Sequence, residues 1–147
     1  MAFSGLDTLR ILLVENHLRM RMLIKQMLTA GGVMHIEEAN NGAEALQYLH
    51  DSSSELPHLI ISDLHMERLD GIELCNAIRR DKSADIREIP ILVLTGDEDV
   101  VIHEAAEKLG AAHILTKPVS AEDLFKCIGR LMAPPLPEPF EIGSIGA

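Results

Sequence analysis

Cysteine is scarce in this chain, and none of its apolar runs is long. Cys75 and Cys127 are the only cysteines among 147 residues. They fall at apolar positions of predicted helices, without Cys-x-x-Cys spacing, so core packing is favoured over a disulfide or a zinc site. No stretch approaches the roughly twenty apolar residues that cross a bilayer, and the first ten residues do not resemble a signal peptide. We therefore expect a soluble, cytoplasmic protein with no membrane association.

Basic residues are also few, which disfavours one large class of partners. The chain has 13 lysines and arginines against 23 aspartates and glutamates, for a formal net charge of −10. No basic cluster is large enough to neutralise several phosphates, so direct nucleic-acid binding is not expected. The densest basic groups, such as Arg19, Arg21 and Lys25, are interpreted as solvated faces of amphipathic helices. The scattered histidines show no metal-ligand spacing, which disfavours a transition-metal site.

The length suits a single domain, and most of the chain alternates between two hydrophobic patterns. From Leu9 to Met132, short apolar runs alternate with segments of helical periodicity, as is typical of a parallel sheet covered by helices. The predicted strands lie near 9–14, 33–38, 58–62, 90–94 and 112–115. The predicted helices lie near 17–30, 43–49, 72–80, 99–109 and 120–131. The sequence therefore predicts an α/β fold with five parallel strands and five helices.

The composition changes after Met132. Four prolines in the six residues 134–139 exclude helix and strand ladders and favour an extended tail over residues 133–147. A disordered end is the simpler interpretation. Docking of Phe140 and Ile142 on the domain or on a partner is the alternative.

Polar residues end four of the apolar runs. Glu15-Asn16, Asp63, Thr95 and Lys117 each follow or close such a run. A lone aspartate after a strand is usually a turn former or a helix cap. Four such residues at successive strand ends are better explained by one polar site, because ligands bind at the carboxyl edge of open α/β sheets. Asp63 is the best candidate for the chemistry of that site.

Five segments carry a family resemblance when they are taken in order. They are Ile11-Leu-Leu-Val-Glu-Asn16, Ala39 to Leu46, Asp63 to Gly71, Leu94-Thr95-Gly96 and Leu115-Thr-Lys-Pro118. Together they resemble the receiver domain of bacterial two-component response regulators, over residues 8–132. The resemblance implies a doubly wound, flavodoxin-like fold with a five-stranded parallel sheet and five helices. Met66-Glu67 and the Pro-Phe pair of the tail are similar to a stand-alone, single-domain group in that family.

The resemblance also implies a role for each residue at the strand ends. Asp63 would be the phosphoacceptor, taking a phosphoryl group from a histidine kinase or a histidine phosphotransfer protein. Thr95 would contact the phosphoryl oxygens and shift when they arrive. Lys117 would pair with the acyl phosphate, next to a cis Lys117–Pro118 bond. The signal would pass to a downstream target protein, most naturally through the fourth helix, fifth strand and fifth helix.

The resemblance further implies a magnesium site. A carboxylate that attacks an anionic phosphoryl group needs a cation to offset charge, and Mg²⁺ prefers oxygen ligands and keeps several waters. The implied ligands are Glu15, Asn16, Asp63 and the backbone carbonyl of His65.

Three positions depart from the usual family pattern. Asn16 stands where the family has a second acidic residue, and an amide oxygen can coordinate a cation but brings no charge. Glu67 stands where many receivers have proline. Ile114 replaces the aromatic switch residue, so we expect Thr95 and the loop 96–100 to carry the conformational change instead.

Three functions can be compared with these features. The leading one is a phosphorylation-controlled protein-binding switch. The alternative is an atypical receiver with weak or no phosphorylation that acts as a constitutive binding module, which Asn16 and Ile114 favour and the intact acceptor, threonine and lysine oppose. An aspartate-phosphatase type of enzyme is disfavoured, because His65 occupies the place of its second aspartate and no cap domain is present. We therefore expect a protein that is not an enzyme.

Overall fold

The computed structural model describes residues 5–66, 69–96 and 100–133. Glu67, part of the loop 96–100 and the tail with Phe140 and Ile142 lie outside the described residues. The strands are β1 (Arg10–Val14), β2 (His35–Ala39), β3 (Leu59–Asp63), β4 (Ile91–Thr95) and β5 (His113–Thr116). The helices are α1 (Leu18–Ala30), α2 (Gly42–His50), α3 (Gly71–Arg79), α4 (Ala84–Arg87), α5 (Val100–Lys108) and α6 (Ala121–Met132).

The five strands form one parallel sheet in the order β2-β1-β3-β4-β5. The predicted α/β class and strand count are confirmed. The chain order reverses beside β1, which pairs with both β2 and β3, so a crevice forms there at the carboxyl ends of the strands. The short helix α4 was not predicted from the sequence.

Two apolar layers cover the sheet, one on each face. Buried residues of α1 and α6 form one layer, and buried residues of α2, α3, α4 and α5 form the other. Successive residues of β3 alternate between them, since Leu59 and Ile61 belong to the first layer and Ile60 to the second. Cys75 and Cys127 are buried and free, which confirms their interpretation as core residues. In the described part of the chain, every helix is too short or too polar to cross a bilayer.

The helix ends follow local sequence signals. Gly32 has a φ of +112° just after α1, a left-handed conformation that glycine adopts without strain. The side chain of Asn41 accepts a hydrogen bond from the Glu44 amide at the start of α2, and Ser120 does the same for Asp123 in α6. Asp70 and Glu73 form a reciprocal capping box at the start of α3.

Arg79, at the end of α3, joins three other points of the backbone. Its guanidinium donates hydrogen bonds to the carbonyl oxygens of Gly110 (3.0 Å), Arg87 (2.8 Å) and Ile89 (2.7 Å). A Cβ at Gly110 would lie 2.3 Å from Arg79 Cγ, so only glycine fits there. Burial lowers the pKa of the Arg79 guanidinium. The three carbonyl dipoles directed at this group stabilise its positive charge.

Candidate functional site

Four strand ends meet at one edge of the sheet. Asp63 is the last residue of β3 and Thr95 the last of β4. Glu15 directly follows β1, and Lys117 directly follows β5. The parallel register places Asp63 beside Leu94 and Thr95 beside Thr116. The geometry expected from the polar strand ends is therefore present.

The Lys117 ammonium group joins two buried carboxylates. Its Nζ donates to Asp63 Oδ1 at 3.0 Å and to Glu15 Oε1 at 3.2 Å. Glu15 is 1% exposed and Asp63 6% exposed. Burial alone would lower the pKa of Lys117, but the hydrogen bonds and charges of Asp63 and Glu15 outweigh burial and raise that pKa. The result is a compact group of two anions and one cation.

Backbone contacts fix each member of this group. The Lys117 amide donates to the Thr95 carbonyl at 2.7 Å, and the Lys117–Pro118 bond is cis, as the family resemblance implied. The Leu64 amide donates to Asp63 Oδ1 at 2.9 Å, and the His17 amide donates to Glu15 Oε2 at 3.1 Å. The two amide bonds orient the carboxylates of Asp63 and Glu15.

The segment after Asp63 turns back against the strand it leaves. The Gly71 amide donates to the Leu64 carbonyl at 2.8 Å. A Cβ on Gly71 would lie 2.5 Å from the Asp63 carbonyl oxygen, so the close approach requires glycine. Leu69 has a φ of +74°, which is unusual for leucine, and its carbonyl accepts a hydrogen bond from the Gly42 amide at 3.2 Å. The loop is thereby attached to the start of α2.

The remaining proposed ligands line a shallow pocket beside the carboxylates. The pocket has a volume of about 290 Å³ and is lined by Asn16, His65, Met66 and Asp70. Two carboxylates, an amide oxygen and a backbone carbonyl are hard oxygen donors, which suit Mg²⁺, Ca²⁺ or Mn²⁺ rather than Zn²⁺. The residues present therefore fit the expected divalent cation. The acidic side chain of Asp70 at this pocket was not anticipated.

Thr95 and Ile114 differ in their burial. Thr95 is fully buried at the end of β4. Ile114 is partly buried in β5 and packs against the layer formed by α2, α3, α4 and α5. A branched aliphatic side chain in that place has no ring that could turn outward.

One sequence interpretation is wrong in part. Arg19 and Lys25 are exposed on α1, as expected, but the side chain of Arg21 is only 13% exposed. It lies between α1 and the ends of β1 and β2. Its burial could not be read from its position in an amphipathic pattern, because arginine is common on both solvated and partly covered faces.

Comparison with known proteins decides the family. A family model described as the response regulator receiver domain matches residues 11–129, which include all four strand ends of the site. The chain belongs to the response regulator receiver domain family.

Relatives of this receiver domain differ in length. A probable chemotaxis protein CheY from Rhizobium etli is 29% identical, over 80% of this chain and 88% of its own. Response regulator MprA from Mycobacterium avium is 33% identical over 88% of this chain, but the match spans only 54% of MprA.

The receiver fold is also found in solved structures. The Mn²⁺-bound form of response regulator Rcp1 superposes with a TM-score of 0.70 at 28% identity, over 87% of this chain and 98% of its own.

Proposed function

We propose that this receiver domain is a phosphorylation-controlled switch in a phosphorelay, with Asp63 as the phosphoacceptor. The observation that carries the proposal is the Lys117 ammonium group bonded to both Asp63 and Glu15 at the carboxyl edge of the sheet. The donor would be a phosphohistidine of a histidine kinase or a histidine phosphotransfer protein in the cytoplasm. The output would be a changed contact with a downstream target protein rather than an enzymatic product.

The chemistry follows from the arrangement of charges. One carboxylate oxygen of Asp63 attacks the phosphorus, and a P–O bond forms as the P–N bond to the partner's histidine breaks. The electron pair of that P–N bond stays on the imidazole nitrogen. Lys117 is held within hydrogen-bond reach of the attacked group, so its charge offsets the negative charge that gathers there. Because its pKa is raised, Lys117 stays protonated throughout the neutral range.

A divalent cation, Mg²⁺ in this proposal, completes the site. Glu15, Asn16, Asp63 and the His65 carbonyl would hold it, and Mn²⁺ in the related Rcp1 supports such a site here. The cation, when bound, neutralises charge on the phosphoryl oxygens. The charges of Glu15, Asp63 and Lys117 sum to −1, whereas an aspartate in place of Asn16 would bring that sum to −2. We therefore propose a cation site that is weaker than in receivers with two acidic residues after β1.

The response to phosphorylation would begin at Thr95. Its side chain is fully buried at the end of β4, the strand that pairs with β3 and its terminal Asp63. Ile114 offers no aromatic ring to accompany that movement. We propose that the loop 96–100 and the start of α5 carry the change to the protein surface.

The decisive experiment is phosphorylation by a small donor. The protein is incubated with acetyl phosphate or phosphoramidate and Mg²⁺, and a phosphoryl adduct is sought by intact mass. We expect an adduct that Asp63→Asn abolishes. The matched control is Asp70→Asn, which removes a carboxylate from the pocket lined by Asn16 and His65 but keeps a residue that caps α3. An adduct that persists in Asp63→Asn would contradict the proposal, and absence of an adduct in the parent would favour the constitutive binding module.

A further inference from the structure

Arg21 is a mostly buried arginine that the phosphotransfer chemistry does not use. It lies at the end of the first turn of α1, and its side chain is 13% exposed. Lys25, one turn further along the same helix, is 46% exposed. Both contact Glu38 of β2, but they contact different oxygens of its carboxylate. The two residues therefore share an ion-pair partner and differ in what else they touch.

The Arg21 guanidinium bonds three acceptors on three segments. Its Nε donates to Glu38 Oε1 at 3.1 Å. Its Nη1 donates to the Glu15 carbonyl oxygen at 2.8 Å and to Asn40 Oδ1 at 2.6 Å. A planar guanidinium with five donors in a fixed fork can serve such a set, whereas a lysine ammonium group is a single point. Arg21 thus ties the end of β1 to the end of β2 and to the turn before α2.

The carbonyl that Arg21 holds belongs to the peptide bond between Glu15 and Asn16. On the other side of Glu15, its amide donates to the Ala39 carbonyl at 3.1 Å. Hydrogen bonds therefore restrain the peptide groups on both sides of Glu15, and Arg21 supplies the one to the Glu15–Asn16 peptide. The orientation of that peptide helps to set the directions in which the side chains of Glu15 and Asn16 leave the backbone. Groups that orient metal ligands without touching the metal commonly change metal affinity when they are removed.

We propose that Arg21 is a positioning residue for the divalent-cation site, which holds the Glu15–Asn16 peptide so that both side chains face Asp63. This inference rests on the proposed function, since it concerns the same cation. The positioning role and simple electrostatics predict opposite changes in cation affinity when Arg21 is replaced. Removing a positive charge near a cation site should tighten cation binding, whereas releasing the ligands should weaken it.

The test compares Arg21→Met with Lys25→Met. Each variant removes one positive charge from α1 and one contact to Glu38, but only Arg21→Met releases the Glu15 carbonyl. Glu38 keeps an ion pair in either case, and the bond from Lys25 contributes most to the lowered pKa of Glu38. Mg²⁺ affinity is measured by titration calorimetry, because the chain has no tryptophan to report binding. We expect about tenfold weaker Mg²⁺ binding in Arg21→Met and parental or slightly tighter binding in Lys25→Met.

A second measurement needs no metal. In the metal-free protein, the order parameter of the Asn16 amide, determined from ¹⁵N relaxation, should fall from about 0.85 in the parent to below about 0.6 in Arg21→Met. Arg21→Lys keeps the positive charge but lacks the planar guanidinium that bonds several acceptors at once. Its Mg²⁺ affinity should be lower than that of the parent but higher than that of Arg21→Met.

The outcomes separate the two proposals. Parental or tighter Mg²⁺ binding in both Arg21 variants overturns the role of Arg21, as does an equal loss in Lys25→Met. A parent that binds no Mg²⁺ contradicts the proposed cation site itself. In that case an Asn16 amide that is equally ordered with and without Arg21 would still overturn the positioning role, whatever becomes of the cation.

Discussion

Replacing Asn16 by aspartate should restore a charge that this receiver domain lacks. Asn16 is exposed and lines the open pocket, so water-like screening applies to a carboxylate there. Two unit charges about 4 Å apart attract by about 1 kcal/mol in water, so a divalent cation should gain about 2 kcal/mol, or about thirtyfold in affinity. In the metal-free protein, the same carboxylate joins Glu15 and Asp63, which already share Lys117. We expect that repulsion to cost roughly 1 kcal/mol and to lower the Tm by about 3 °C.

Calorimetric Mg²⁺ titration and thermal unfolding in the presence of a chelator check the two parts of this prediction. The control variant is Gln26→Glu, which adds the same charge to an exposed position of α1 away from the pocket. The variant should also be phosphorylated faster than the parent by acetyl phosphate at limiting Mg²⁺. If Asn16→Asp bound Mg²⁺ no more tightly than the parent, the missing charge would not limit the site, and the reasoning that derives a weakened receiver from Asn16 would fail.

Three other perturbations test the site and the core. Gly71→Ala should destabilise the protein by about 1–3 kcal/mol in urea unfolding and slow phosphorylation, because the new Cβ would lie 2.5 Å from the Asp63 carbonyl oxygen. Unchanged stability would contradict the requirement for glycine at this position. Cys75 should resist thiol reagents in the folded state, because burial raises its pKa to about 11, and labelling at the rate of an exposed thiol would contradict this. The raised pKa of Lys117 contributes stability that is complete below its unfolded value of 10.5 and is lost as the pH rises through its higher folded value. The stability difference between the parent and Lys117→Met, measured by urea unfolding, should therefore be constant from about pH 8 to 10 and shrink above that range.

The strands and the central site were predictable because their signals are local. An apolar run that ends in a polar residue predicts both a buried parallel strand and a side chain at its carboxyl edge, and Asp63 and Thr95 are found at the ends of β3 and β4. The contact of Lys117 with Glu15 joins residues 102 positions apart, and only the order of the motifs indicated it. Sequence patterns predict poorly what depends on tertiary contacts of a single polar side chain. For that reason the amphipathic pattern of α1 predicts a solvated Arg21, whereas its side chain is only 13% exposed.

Other misses have similar causes. Helix α4 has only four residues, which is too short for a hydrophobic period to develop. The positive φ of Leu69 has no signal in its residue type, since it depends on the Gly42 amide and on the close approach of Gly71 to β3.

The hydrogen bonds from Arg79 to three carbonyl groups couple the local unfolding of separate segments. Gly110, Arg87 and Ile89 lie in the turn before β5 and on the approach to β4, and one side chain from α3 serves them all. Withdrawing that guanidinium leaves three carbonyls without their donor at once, so none of these segments can detach without loosening the others. Local unfolding in proteins proceeds in cooperative units of this kind. We therefore expect the amide protons of the end of α3, the approach to β4 and the turn before β5 to exchange cooperatively, at the same rate.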